Sequence, residues 1–128
     1  MNGFRVWDLE KEKMYYDEFF MGTSGELYKL ESYTNTDETH YSLHLKPAIM
    51  RLCIIMRCSG IEDSSGQLIY ENDIIECPDK RKYLIKYDDE NGFYATSKTE
   101  NFVHLSELGK FINTGILING RDYKIKEQ

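Results

Sequence analysis

The sequence predicts a mainly β protein, and three observations carry that reading. Aromatic residues are plentiful, with ten Tyr, six Phe and one Trp against two Pro, and aromatic side chains suit a pleated, half-buried surface. Apolar residues repeat at period two through short runs such as "YLIKY" at 83–87. Between the runs stand clusters of Gly, Asn, Asp and Ser, at the spacing of roughly 8–12 residues that marks small all-β domains.

Taken in order, "FRVWD" and "KMYYDEFF" are β-favouring segments separated by the polar "LEKEK", which reads as a hairpin or a strand and a turn. "ELYKLES" and "HYSLHLK" alternate, and the Thr/Asn/Asp-rich "YTNTDETH" between them reads as a loop. The domain reading is an N-terminal β-rich extension over 1–47 and a small barrel region over 48–128. The first carries five basic and nine acidic side chains, and the second is nearer neutrality. "PAIMRLCIIMRCSG" is an apolar run that periodicity alone cannot divide between strand and short helix, and its Ser-Gly ending favours a strand. In "IEDSSGQLIY", Asp63 and the serines can bond nearby backbone and Gly66 can take a positive φ. At "YENDII" the chain must turn sharply, and Asn72 suits the left-handed region there. "RKYLIKYDDENGFYATSKT" is the clearest hairpin, with Tyr83, Ile85 and Tyr87 alternating with Lys82, Leu84 and Lys86 around an Asn-Gly turn. A single helical turn opened by Ser106 and a last strand over 111–118 follow, then a polar tail expected to fray. Short strands, a diverging turn at 71–73, a long hairpin and one helical turn before the closing strand predict a small Src-homology-3-like barrel.

The chain has 128 residues and a formal charge of −6 from 16 Lys+Arg and 22 Asp+Glu. It is long enough to bury a core unaided. No apolar run approaches the ~18 residues that span a bilayer, and the charged start lacks a signal-like segment, so a cytoplasmic protein with no membrane association is expected. Cys53, Cys58 and Cys77 are odd in number and widely spread, which is not a disulfide framework.

The middle of the chain resembles the YopX family of bacteria, phages and prophages. The resemblance rests on Phe4-Arg5-Val6-Trp7-Asp8, on Met14-Tyr15, and on "IMRCSGIEDSSGQLIYENDIIE". There the chain keeps Met56, Gly60, Asp63, Gly66, Ile69, Tyr70, Glu71, Asp73 and Ile74 of the family pattern. It places Asn72 where a glycine is usual, and departs at Arg57, Cys58 and Ser59. "FINTGILING" matches the family's closing strand only loosely. The resemblance implies a mainly β structure with a small barrel-like C-terminal part, self-association, a phage or mobile-element context, and no assigned biochemical activity.

Site chemistry is sparse. Asp63 and Asp73 are candidate paired carboxylates, but side-chain oxygens in turns more often accept nearby backbone N–H groups. Tyr70 reads as a packed ring, Glu71 as a solvated carboxylate, and Gly60 and Gly66 as backbone requirements. His40 and His44 share a strand face without metal-ligand spacing to the cysteines, and no nucleophile-and-base signature appears. No cofactor or metal is expected, nor an enzyme.

Two function classes remain. The first is a homo-oligomeric binding module for a host or phage protein, since Tyr and Trp concentrate interface energy. The second is a single-stranded nucleic-acid binder using Lys80, Arg81, Lys82 and Lys86, with Tyr83, Tyr87, Phe93 or Tyr94 as stacking rings. The acidic balance, with Asp79, Asp88, Asp89 and Glu90 flanking the cluster, disfavours the second. Otherwise the cluster simply blunts an edge strand with charge.

Overall fold

The computed structural model describes residues 3–35, 41–118 and 121–123, with side chains over 3–31 and 44–117. Twelve strands and two single 3-10 turns make up this part, with no α-helix among the described residues. No described helix is long and apolar enough to cross a membrane. The chain forms two compact units, Met1–Met56 and Arg57–Gln128.

In the first unit, β1 (Phe4–Asp8) and β2 (Lys13–Tyr15) form a tight antiparallel hairpin. Asp8 Oδ1 sets its turn by accepting the amides of Glu10 and Lys11. β1 buries Arg5, Val6 and Trp7 in succession, so both of its faces are covered. A second sheet runs in the order β3 (Phe19–Met21), β4 (Leu27–Asn35), β5 (Tyr41–Pro47). "KMYYDEFF" is therefore two strands from different sheets, because the polar Asp17 and Glu18 sit exposed between the anchors Tyr15 and Phe19. Tyr33–Asn35, read from sequence as loop, continue β4 opposite Tyr41–Leu43, since β pairing outweighs the turn propensity of Thr and Asn. Of the histidine pair, His44 is exposed on β5, and His40 lies outside the described residues. Val6, Tyr15, Phe19 and Leu27 form the core, each worth roughly 1.5–3 kcal/mol of burial for the aliphatic and Phe members.

The ambiguous apolar run resolves into both alternatives. Met50–Leu52 make a 3-10 turn with no buried residue, and β6 (Cys53–Glu62) follows. The boundary between the two units falls within β6, between Met56 and Arg57.

In the second unit, β7 (Leu68–Tyr70) pairs with the far half of β6. The main sheet is five-stranded and antiparallel, ordered β10 (Gly92–Thr96), β9 (Lys82–Asp88), β8 (Asp73–Glu76), β11 (Ile112–Ile118), β12 (Arg121–Tyr123). Strands β8, β9 and β10 form a meander, and a 3-10 turn over Leu105–Glu107 precedes the strand that returns to β8. Two expectations are corrected here. β9 lies between β10 and β8, so the lysine-rich run does not blunt an edge. Arg121–Tyr123 do not fray but pair with Ile116–Ile118, because β11 offers a free row of backbone groups. The core is Ile69, Ile75, Cys77, Tyr83, Ile85, Ala95, Val103, Leu105, Leu108 and Phe111.

Candidate functional site

The turn motif is a set of side chains fastened to backbone. Asp63 Oδ1 accepts the Ser65 amide (2.9 Å), the Ser65 hydroxyl (2.7 Å) and the Gln67 amide (2.9 Å), and Gly66 closes the turn at φ +88°. Burial raises the Asp63 pKa, but the Ser65 hydroxyl and the amides of Gln67, Ser65 and Asn113 outweigh it, leaving the carboxyl below its ordinary value. The Ser64 amide donates to Phe111 O (2.8 Å), which ties this loop to the closing strand. Gly60 also has positive φ (+78°), and Ser59 Oγ beside it donates to Ile69 O (2.6 Å).

The following turn is built the same way. Asp73 is fully buried, and its Oδ2 accepts the Tyr70 amide (2.9 Å) and Asn113 Nδ2 (3.3 Å). Asn72 stands at φ +69°, its amide donating to Ile85 O and its carbonyl accepting from Leu117 N. Tyr70 is a packed ring, as its run of apolar neighbours implies. Glu71 is not the solvated carboxylate expected from sequence. Its Oε1 accepts the Arg57 amide (2.8 Å) and Arg57 Nη1 (3.2 Å), while that guanidinium lies 4.4 Å from the Tyr87 ring centre. Gly60, Asp63, Gly66, Tyr70, Glu71, Asn72 and Asp73 thus join the strands around them; the carboxylate of Asp73 is buried on amide donors, and that of Asp63, although Asp63 lines an open cleft with Ile61, Ser64, Leu105 and Phe111, is engaged by the Ser65 hydroxyl and backbone amides.

The eight candidate surface residues are divided by the pleat. Tyr83 points into the core at 2% exposure, with Ile85 and Ala95. Tyr87 and Phe93 share that side at the hairpin end, in edge-to-face contact at 5.0 Å. Lys82 and Lys86 project from the opposite face, and the register sets Lys86 beside Tyr94 and Lys82 beside Glu76. Lys80 and Arg81 precede β9; Arg81 Nε is bound to Asp79 Oδ2 at 2.6 Å and Nη1 to the Tyr83 hydroxyl at 2.9 Å. The lysines and most of the rings therefore do not form one stacking surface.

A different surface appears on the outward side. Following the register, Tyr94, Leu84, Ile74 and Ile112 face the same way on four adjacent strands. The bridge of Ala95 to Val103 adds Phe102, which stacks on Tyr94 at 4.9 Å and meets His104 edge-on at 5.0 Å. Phe102 is 42% exposed and Ile112 47%. An apolar band thus crosses the sheet, flanked by Lys82, Lys86 and Glu76. Sequence reasoning missed this grouping of Phe102, Ile74, Leu84 and Ile112; the period-two phase on either side of Asn91-Gly92 could have placed Leu84 and Tyr94 on one face, but no local signal joins the others to them.

Burial pushes the thiols of Cys53 and Cys77 up, aided in Cys53 by Asp8. Among the described residues no three His, Cys, Asp or Glu side chains cluster as a metal site would require.

Known proteins resemble the chain in two ways. The crystal structure of protein EF1440 from Enterococcus faecalis matches 90% of this chain and 92% of that chain, at 18% identity and a TM-score of 0.57, which is a likeness of fold. No curated protein matches. The family model described as YopX protein matches residues 3–121, which takes in both the β1–β2 hairpin and the turn motif whose backbone role is described above. By that match, which runs from the first described strand into the last, the chain belongs to the YopX family.

Proposed function

We propose that the chain is a phage or mobile-element accessory protein of the bacterial cytoplasm that acts as a homo-oligomeric protein-binding module, without catalytic chemistry of its own. The observation that carries this reading is the outward apolar band of Phe102, Tyr94, Leu84, Ile74 and Ile112. Monomers rarely leave such bands uncovered. We read the second unit as a small Src-homology-3-like barrel, supported by the meander, the 3-10 turn and the closing strand that returns to β8.

The occupant this face suits is a second copy. In a two-fold contact each residue meets the partner of its own partner, so a self-complementary patch needs both charge signs around an apolar centre. Lys82 and Lys86 with Glu76 supply that rim. Light scattering at micromolar concentration is expected to give a multiple of 15.1 kDa, and the pair Phe102→Lys and Ile112→Lys to return it to a monomer with an unchanged circular dichroism spectrum. A wild-type mass of one chain would reject the reading.

The single-strand alternative finds less support, because Tyr83 is in the core and Arg57 covers the Tyr87 ring.

A further inference from the structure

The basic residues that fail to make a stacking surface do converge elsewhere. Where β9 begins and β10 ends, an open cleft of about 370 Å³ is lined by Lys80, Arg81, Lys82, Ser97, Lys98 and Thr99, with Tyr83 at its base. We propose that this cleft binds a compact phosphate-class anion, a pyrophosphate group either free or carried by a small molecule. The inference does not need the oligomer reading: the two share only Lys82, and the apolar band itself takes no part in the cleft.

Charge is the first argument. Four cationic side chains line the cleft against three neighbouring carboxylates, Asp79 paired with Arg81, Glu100 held by the Tyr83 hydroxyl, and Glu76 across from Lys82. In a chain of net charge −6 this is a local reversal of sign. Each terminal phosphate carries about −1.5 to −2 near neutral pH, so two linked phosphates match four cations better than one carboxylate does.

Donor geometry is the second. A guanidinium has five N–H groups in a planar fork suited to phosphate oxygens. Arg81 commits its Nε hydrogen to Asp79 and one Nη1 hydrogen to Tyr83, which holds the fork in place and leaves its remaining N–H groups available. On the opposite wall Ser97 Oγ accepts the amides of Thr99 and Glu100 and faces Thr99 Oγ1 at 3.3 Å. One hydroxyl hydrogen fills that gap, and the other is free to donate to a ligand. Cations that meet in one cleft also suit a compact anion better than a nucleic-acid strand, which needs a track of spaced charges.

The test is a 1H–15N chemical-shift titration of the full chain with inorganic pyrophosphate at constant ionic strength near ~150 mM, where diffuse attraction is screened. Saturable shifts confined to the amides of 80–83 and 97–100 are expected. The double variant Lys80→Gln, Lys98→Gln should weaken binding at least about tenfold, because it removes two charge-assisted donors, and Lys110→Gln should leave it unchanged. ADP separates the sources: an equal constant assigns recognition to the phosphates alone, and a tighter one to a nucleotide whose base or sugar adds contacts. Shifts linear in ligand, shifts spread over all lysines, or equal affinity in the double variant would overturn the proposal. The Phe102→Lys, Ile112→Lys protein should still bind pyrophosphate, so failure of either reading leaves the other standing.

Discussion

At the scale of single residues the chain is governed by where backbone N–H groups find acceptors. Asn72 sits at φ +69° between two backbone hydrogen bonds, to Ile85 and from Leu117. Asn72→Gly is therefore expected to be neutral or stabilising, whereas Asn72→Val should cost roughly 1–2 kcal/mol, since a β-branched side chain is strained in the left-handed region. Equal melting temperatures for the two variants would contradict this. Asp63 makes a second test. Its folded-state pKa is lowered by the Ser65, Gln67 and Asn113 donors, which prevail over burial. A lowered pKa means stability that is fully present above the unfolded value of about 3.9 and is lost as pH falls through the folded one. The melting temperature of Asp63→Ala should therefore fall less steeply below about pH 4 than that of the wild type. Parallel curves would show that the turn contributes no charge-dependent stability. Asp88, whose pKa is lowered by the Asn91 amide, stays in the variant and sets part of the remaining slope.

At the scale of elements, local signals were legible where the turn chemistry was strong. The Asn91-Gly92 hairpin, with Gly92 at φ +69°, pairs in the alternation expected from "YLIKY". The expected single helical turn is present as a 3-10 turn at Leu105–Glu107, but His104 precedes it and Ser106, expected to open it, lies inside it. Signals failed where pairing with a distant strand decided the outcome. Tyr33–Asn35 carry loop composition yet pair with Tyr41–Leu43, and Arg121–Tyr123 carry tail composition yet pair with β11. The second case predicts that deleting residues from Arg121 onward exposes the edge of β11 and lowers the melting temperature, by about 4–8 °C for each kcal/mol lost in a domain of this size. Amide exchange at Ile116 and Ile118 should quicken at the same time, while Leu117, whose amide donates to Asn72 O, should change less. An unchanged melting curve would mean that the pairing adds nothing to stability.

At the scale of the whole molecule, surface charge and the pleat together decide what the chain can bind. With −6 overall, Lys82 and Lys86 on one face, and Tyr83 and Tyr87 on the other, a labelled single-stranded oligonucleotide is expected to bind more weakly than micromolar at ~150 mM salt. Anisotropy that shows tighter binding, abolished by changing Lys80, Arg81, Lys82 and Lys86 to Glu, would restore the nucleic-acid reading. The apolar band across β8 to β11 is instead the observation behind the proposed self-association.

The sequence by itself determined the strand-rich class, the two turns at 59–76 with their need for positive φ, the central hairpin and the family, because each depends on residues close along the chain. Tertiary structure alone decided which of those residues meet. Whether Glu71 is solvated depends on Arg57, fourteen positions earlier, and whether Tyr83 is a surface ring depends on the face of β9 that the core takes. A pleated strand sends neighbouring side chains to opposite sides, so a basic and aromatic run that is continuous in sequence is divided in space. The same pleat gathers Phe102, Tyr94, Leu84, Ile74 and Ile112 from separate segments onto one surface, through pairings whose register no local pattern specifies.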